Sequence, residues 1–135
     1  MRILLDTSFI IELKRGNRRA REVLESKKSE CEDLLVSSLT IYELLAGAMY
    51  IWKKYKNFSE FLKIQEILKF LTEIPMNSII AIKASEMKAI LKLKGLKVSD
   101  LDILIACSAE DAEILTFDKD FEKLKELGFK ITILE

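Results

Sequence analysis

Residues 2–8 of this chain read Arg-Ile-Leu-Leu-Asp-Thr-Ser, an apolar run that ends in an acid followed by two hydroxyl residues. The run predicts a short buried strand over residues 2–5, and the helical spacing of the next apolar residues predicts a helix over residues 7–14. A buried strand that passes directly into a helix is typical of a parallel α/β sheet. Asp6 would then lie at the carboxyl end of a strand, where α/β proteins bind their ligands.

The same alternation continues along the whole chain of 135 residues. We predict further strands at residues 34–37, 73–77, 113–117 and 130–134, and helices at residues 18–28, 40–55, 58–72, 78–94, 100–111 and 119–127. Strands that alternate with helices predict a three-layer α/β/α fold around a roughly five-stranded, mainly parallel sheet. We expect one domain over residues 1–135, within which residues 48–72 form a helical hairpin.

Composition narrows the chemistry that the chain can perform. Histidine is absent, which excludes a zinc site of the Cys/His type and every catalytic scheme that needs a Ser-His or Cys-His pair. The two cysteines, Cys31 and Cys107, lie far apart in different surroundings, and we expect both to be reduced thiols. Carboxylates, lysines and a metal ion are the groups that remain.

Charge and hydropathy indicate which partners to expect. The 22 basic and 22 acidic residues cancel, so the net charge gives no general signal for nucleic acid binding. Basic clusters at residues 14–21, 53–56 and 92–97 are either solvated helix faces or a rim that contacts phosphates. Charges interrupt every apolar segment before it reaches the length of a membrane span. We therefore expect no membrane contact and, without a secretory signal, a cytoplasmic protein.

Four widely spaced carboxylates lie where a predicted strand or loop passes into a helix: Asp6, Glu43, Asp102 and Asp118. Asp6 and Asp118 would each follow a strand, while Glu43 and Asp102 would project from first helical turns toward the same crevice. Four acids gathered there repel one another unless a cation compensates their charge. Oxygen-rich sites of this kind suit Mg²⁺ or Mn²⁺, and nearby helix amino termini favour anionic substrates. The pattern indicates a metal-dependent enzyme that acts on phosphates.

Helix capping is the alternative explanation for each of these acids. Asp6 and Asp118 could each cap the helix that follows, and residues 40–43 and 99–102 match the capping-box pattern. Capping places acids at helix amino termini anywhere in a fold, whereas these four neighbour the strand ends that line one crevice. Both explanations are open at the level of sequence.

Four further residues are secondary candidates for the site. Asp100 lies two positions before Asp102, so the two point in different directions, and we expect only Asp102 to be a direct ligand. Asp120 could support the site indirectly or cap a helix. Thr7 and Thr116 are nearby hydroxyl residues that could orient a carboxylate or a water molecule. A purely structural role is equally open for all four.

The chain resembles the PIN domain family, and in particular its VapC-type toxin ribonucleases. The resemblance rests on four segments, Leu5-Asp-Thr-Ser8, Thr40-x-Tyr-Glu-Leu-Leu-x-Gly47, Asp102-Ile-Leu-Ile-Ala-x-x-Ala109 and Thr116-x-Asp-x-Asp-Phe121. Their order and intervals are specific and cover nearly the whole chain. Two departures from the family pattern are Ser8 in place of Asn, and Ala112-Glu113 in place of a glycine-containing turn. Neither is expected to contact a proposed ligand.

The resemblance implies dependence on Mg²⁺ or Mn²⁺, endonucleolytic cleavage of RNA, a homodimer, and an antitoxin protein that blocks the active site. By position, the family's acidic quartet falls on Asp6, Glu43, Asp102 and Asp118. We expect the first three to hold one ion, with Asp118 completing that site or supporting a second. A metal-activated water would attack the phosphodiester in line, and solvent could protonate the leaving oxygen.

Other functions are compatible with the same residues. The chain could be a PIN-like module that binds RNA or a protein without cutting, or a nuclease that acts in RNA processing or on DNA. A phosphoacceptor receiver domain has the same fold class, but it carries paired acids after its first strand and a lysine late in the sheet. Here Asp6 is a single acid, and Asp118 follows the late strand.

Overall fold

The computed structural model describes residues 1–135 and has one five-stranded sheet at its centre. The strands are β1 (Arg2–Leu5), β2 (Asp33–Ser37), β3 (Thr72–Ile74), β4 (Glu113–Thr116) and β5 (Ile131–Ile133). The helices are α1 (Thr7–Lys14), α2 (Arg18–Lys28), α3 (Ser38–Tyr55), α4 (Ser59–Leu68), α5 (Ser78–Leu93), α6 (Asp100–Ser108) and α7 (Glu122–Lys125), and a 3₁₀ turn at Lys119–Phe121 precedes α7. No helix is both long enough and apolar enough to cross a membrane.

All strands are parallel, in the order β3-β2-β1-β4-β5, so the strand that opens the chain lies at the centre of the sheet. Its residues 3–5 are fully buried because helices cover both faces. Side chains alternate across a strand. Leu4 therefore packs into one core with α5, α6 and α7, while Ile3 and Leu5 pack into another with α1 to α4. The predicted three-layer α/β/α fold with a parallel sheet is confirmed.

The strand order creates a crevice on one side of β1. From β1 the chain builds outward through β2 and β3, then returns to the other flank of β1 with β4 and ends with β5. Where the order reverses in this way, the connections leave neighbouring strands in opposite directions, and ligands bind at the strands' carboxyl ends. Asp6 follows β1 and residues 117–118 follow β4, so both lie at this point.

The edge of the sheet differs from its prediction. The helix predicted to reach residue 72 ends at Leu68, and Thr72 instead begins the edge strand β3. That strand ends at Ile74, before Pro75. Proline has no amide hydrogen to donate to a neighbouring strand, which explains why pairing stops there.

Two helices in the last third are shorter than predicted. The helix predicted to reach residue 111 ends at Ser108, and Glu110 then adopts a left-handed φ of 53°, through which a right-handed helix cannot continue. The segment predicted as one helix over residues 119–127 divides into the 3₁₀ turn and the short α7, which ends at Lys125.

Candidate active site

Asp6 occupies the buried floor of the crevice. Its side chain is 2% exposed, and its amide donates to the carbonyl oxygen of Leu115 at 3.1 Å, which ties the end of β1 to β4. Asp6 immediately precedes α1, yet its carboxylate makes no capping hydrogen bond to that helix. The Asp6 side chain therefore does not form the predicted cap by geometry, although the nearby amides of Thr7 and Ser8 still oppose the rise in its pKa that burial causes.

Two hydroxyl groups hold the Asp6 carboxylate instead. Ser8 Oγ donates to Asp6 Oδ2 at 2.9 Å, and Thr116 Oγ1 donates to the same oxygen at 2.7 Å. Each hydroxyl also accepts a backbone N–H, Ser8 from Phe117 at 2.9 Å and Thr116 from Asp118 at 3.0 Å, which leaves its proton free for Asp6. Burial raises the pKa of Asp6, and the bonds from Thr116 and Ser8 oppose that rise.

Glu43 reaches the crevice from the second turn of α3. Its Oε1 accepts a hydrogen bond from Thr7 Oγ1 at 2.7 Å, and the same hydroxyl lies 3.0 Å from Thr40 Oγ1. The predicted capping box at residues 40–43 is wrong, because α3 begins earlier, with Ser37 Oγ accepting from the Leu39 amide at 3.1 Å. Glu43 is thus left free of capping and is positioned by the hydroxyl beside Asp6.

Asp102 projects from the first turn of α6. Ser99 caps this helix as predicted, with its Oγ accepting from the Asp102 amide at 3.1 Å. Partial burial raises the pKa of Asp102 to about 6, a rise that Ser99 opposes and to which the charges of Asp6, Asp118 and Glu43 add. The negative charges of these three carboxylates therefore disfavour ionisation of Asp102.

Asp118 combines a capping role with a position at the crevice. Its Oδ1 accepts from the Asp120 amide at 2.9 Å and so caps the 3₁₀ turn, as the capping alternative predicts. Its own amide is bound by Thr116 Oγ1, the hydroxyl that also donates to Asp6. The capping bond uses one lone pair of a carboxylate that has several, so it leaves Asp118 able to bind a further partner.

The structure separates Asp100 and Asp120 from the other four acids. Asp100 Oδ1 lies 2.9 Å from Lys88 Nζ, and Asp120 Oδ1 lies 3.6 Å from Lys123 Nζ, with both acidic side chains largely exposed. Their charge is neutralised at the surface. Of the four secondary candidates, Thr7 and Thr116 contact the acidic quartet through their side chains, and the two aspartates face lysines.

The chemistry of the quartet fits a hard divalent cation. None of the four carboxylates forms an ion pair with a lysine or arginine, although the chain forms ion pairs elsewhere. The four carboxylates do not form a compact cluster in this structure, because no three acidic or thiol side chains lie close enough together to hold a metal ion. Four oxygen donors with uncompensated negative charge are the ligand type that Mg²⁺ and Mn²⁺ prefer.

Sequence reasoning missed the contacts of Ser8 and Thr40. We expected Ser8 not to contact a proposed ligand, and this is wrong, because its hydroxyl donates to Asp6. Thr40 is fully buried against Thr7 rather than opening a helix. A signal for Ser8 was present: a small hydroxyl residue two positions after a buried acid, in the first helical turn, can fold back onto that acid.

Comparison with known proteins identifies the family. The PIN domain family profile matches residues 3–127. VapBC2 from Rickettsia felis, solved bound to a promoter DNA fragment, has a TM-score of 0.85 at 22% identity, with all of both chains covered. VapBC-1 from nontypeable Haemophilus influenzae has a TM-score of 0.81 at 22% identity over 98% of each chain. DNA-bound VapBC from Salmonella typhimurium has a TM-score of 0.80 at 23% identity, also over 98% of each chain.

The chain belongs to the PIN domain family, since the match extends over most of its length. The structural matches have sequence identities of 22–23%, and they show that its fold is the one found in VapBC complexes. The predicted membership in the PIN domain family is confirmed. No protein of curated function matches the sequence.

Proposed function

We propose that this chain is a divalent-metal-dependent endoribonuclease and the toxin of a toxin–antitoxin pair. One observation carries the proposal: Asp6 and Asp118 follow the adjacent strands β1 and β4, Glu43 accepts from the Thr7 hydroxyl next to Asp6, and none of the four proposed ligands is paired with a cation. Membership in the PIN family supports nuclease chemistry. The likeness to chains of VapBC complexes supports a protein antitoxin as the partner. A homodimer and a cytoplasmic location belong to the same proposal.

Asp6, Glu43, Asp102 and Asp118 would hold one or two Mg²⁺ or Mn²⁺ ions. When bound, such an ion supplies acidification of a water molecule and neutralisation of the charge that develops on the phosphate. The chain contributes fixed positions for these oxygens, because hydroxyl groups restrain Asp6 and Glu43 before any substrate arrives. Preorganisation of this kind removes a reorganisation cost from the reaction. Histidine is absent, and a solvent molecule could protonate the leaving oxygen.

The test is cleavage of a mixed RNA pool by the purified protein in Mg²⁺, Mn²⁺ or EDTA, with Asp6→Asn as the control. We expect cutting in Mg²⁺ or Mn²⁺ that disappears in EDTA and in the variant. A single-stranded DNA pool is run in parallel. Cutting of DNA alone would overturn the assignment to RNA, and an Asp6→Asn protein with full metal-dependent activity would overturn the proposed site.

A further inference from the structure

The outward face of α3 continues in a straight line from Glu43. Gly47, Tyr50 and Lys54 follow Glu43 by four, seven and eleven residues, the spacing that places side chains along one face of a helix. The buried residues of α3 lie on another face. The line therefore leads from the acidic crevice outward along the surface.

This face has an open segment and then an aromatic surface. Gly47 is exposed, and a Cβ added there would meet no atom within 4 Å. No side chain therefore covers the helix surface at this position, between Glu43 and Tyr50. Tyr50 follows with 60% of its surface exposed. At 1.5 Å per residue, the tyrosine lies about 10 Å along the helix from Glu43.

A lysine is held against the tyrosine. Lys54 Nζ donates to the Tyr50 hydroxyl at 3.1 Å and lies 5.4 Å from the centre of its ring. The same ammonium lies 5.3 Å from the ring of Tyr55. Lys54 forms no ion pair, and neither do its neighbours Lys53 and Lys56, so this end of α3 carries uncompensated positive charge. The aromatic contacts fix the cation in place without neutralising it.

We propose that this face of α3, defined by Gly47, Tyr50 and Lys54, binds one flank of a single-stranded RNA substrate. A base stacks on Tyr50, a phosphate contacts Lys54, and the strand crosses the open surface at Gly47 to reach the carboxylates. Exposed aromatic rings combined with positive charge are the means by which proteins bind single strands without reading sequence. The proposal rests on the proposed function, because it takes the crevice as the place of cleavage.

The spacing agrees with the length of a nucleotide. Stacked nucleotides advance by about 3.4 Å along a strand, and extended ones by about twice that. The distance of about 10 Å from Glu43 to Tyr50 thus corresponds to roughly one and a half to three nucleotides from the scissile phosphate. We expect the tyrosine to act on substrate binding rather than on the reacting atoms, which makes it a positioning residue.

Binding of a fluorescently labelled single-stranded RNA of mixed sequence, measured by anisotropy in EDTA, tests the proposal without cleavage. Tyr50→Ala should weaken binding by about 5- to 100-fold, whereas Tyr50→Phe, which keeps the ring, should bind like the wild type. Lys54→Ala should reduce the slope of log affinity against log salt by about 0.7, the loss of one phosphate contact on a single strand. Lys130→Ala, an unpaired lysine beside the amino ends of the strands, is the matched control and should leave the slope unchanged.

Cleavage with Mn²⁺ is measured in parallel, where Tyr50→Ala should raise KM and leave kcat near the wild-type value. If Tyr50→Ala and Lys54→Ala bind and cleave RNA like Lys130→Ala, the proposal is overturned while the proposed function stands. If the wild type binds through Tyr50 but cleaves nothing, the proposed function fails and the binding face stands. A wild type that binds no RNA overturns the binding face, and its cleavage assay then decides the proposed function separately.

Discussion

Acidic side chains lie at both the amino ends and the carboxyl ends of the strands, but those at the amino ends are paired with cations and the four proposed ligands at the carboxyl ends are not. At the amino ends of the strands, a cavity of about 530 Å³ is lined by acids and cations together. Arg2 lies 2.8 Å from Asp111, the amino terminus of Met1 lies 2.9 Å from Glu32, and Lys27 lies 3.0 Å from Glu113. Each of these acids has a positive partner.

At the carboxyl ends, Asp6, Glu43, Asp102 and Asp118 form no ion pair with a lysine or arginine. Hydroxyl groups and backbone amides are their only partners, and their mutual repulsion adds to the raised pKa of Asp102. The contrast separates two uses of a charge. Paired acids at the amino ends connect strands and loops, whereas the unpaired acids at the carboxyl ends are those to which the proposed function assigns a cation.

A pair of glutamate variants tests the contrast most directly. Glu43→Gln keeps the size of the side chain and an oxygen that can accept from Thr7, but removes a charge from the quartet. We expect RNA cleavage with Mn²⁺ to fall by about 100-fold or more. Glu113→Gln, the same change at the amino end, should cleave at the wild-type rate in the same assay. Equal losses in the two variants would mean that the ends do not differ in function.

Divalent ions should raise the stability of the protein by binding at the carboxyl ends of the strands and not at the amino ends. A ligand present at about a hundred times its Kd raises the free energy of unfolding by about 2.7 kcal/mol. We expect Mg²⁺ or Mn²⁺ to raise the Tm of the wild type and of Asp111→Asn equally, measured by calorimetry against EDTA. Asp102→Asn should lose most of the increase. An undiminished increase in Asp102→Asn would locate the ion elsewhere.

Two threonine variants compare hydrogen bonding at the two ends. Thr116→Val removes a fully buried hydroxyl that donates to Asp6 and accepts from the Asp118 amide, so we expect a loss of about 1–3 kcal/mol in urea unfolding. Thr132→Val removes a donor to Glu113, which Lys27 still pairs, so the loss should stay below about 1 kcal/mol. A larger loss of unfolding free energy in Thr132→Val than in Thr116→Val would show that the hydrogen bonds at the amino ends contribute more to stability.

The pH dependence of stability should have opposite signs at the two ends. The pKa of Asp102 is raised from 3.8 to about 6, so in EDTA this group lowers the free energy of unfolding as pH rises through that interval. Because Asp102 is only half buried, the effect is on the order of 1 kcal/mol. Hydrogen bonding to Arg2 lowers the pKa of Asp111, whose contribution is present at neutral pH and is lost on acidification.

Unfolding of Asp102→Asn and Asp111→Asn, measured from pH 2 to pH 7, isolates these two contributions. The first variant should lose the decline in stability with rising pH, and the second should lose part of the decline on acidification. Slopes that change in the same direction in both variants would contradict the assigned environments.

The fold follows closely from local patterns in the sequence, and the site follows in part. The apolar run of residues 2–5 and the acids after strands identify a parallel sheet and its crevice, because these are local signals. The partners of each acid are not local. Thr116 is 110 residues from the Asp6 that it binds, and Thr7 is 36 residues from Glu43, so only the packing of the finished fold decides which hydroxyl meets which carboxylate.

The errors have the same origin. Residues 40–43 match a capping box, but Ser37, at the end of β2, caps the helix three residues earlier. Thr40 therefore lies inside the helix, where it is fully buried. The local sequence pattern could not predict the first residue of α3. That residue is set by where β2 ends, and the end of β2 is set by its pairing in the sheet. The position of Pro75 beyond β3, rather than within it, depends in the same way on where β2 ends its pairing.

The bond between Asp6 and Thr116 also sets an order of assembly. A chain made from its amino terminus presents Asp6 and Glu43 well before β4 has left the ribosome. Until then Asp6 lacks both the hydroxyl of Thr116 and the peptide oxygen of Leu115 that anchor it. The buried floor of the crevice is therefore complete only after β4 has joined the sheet.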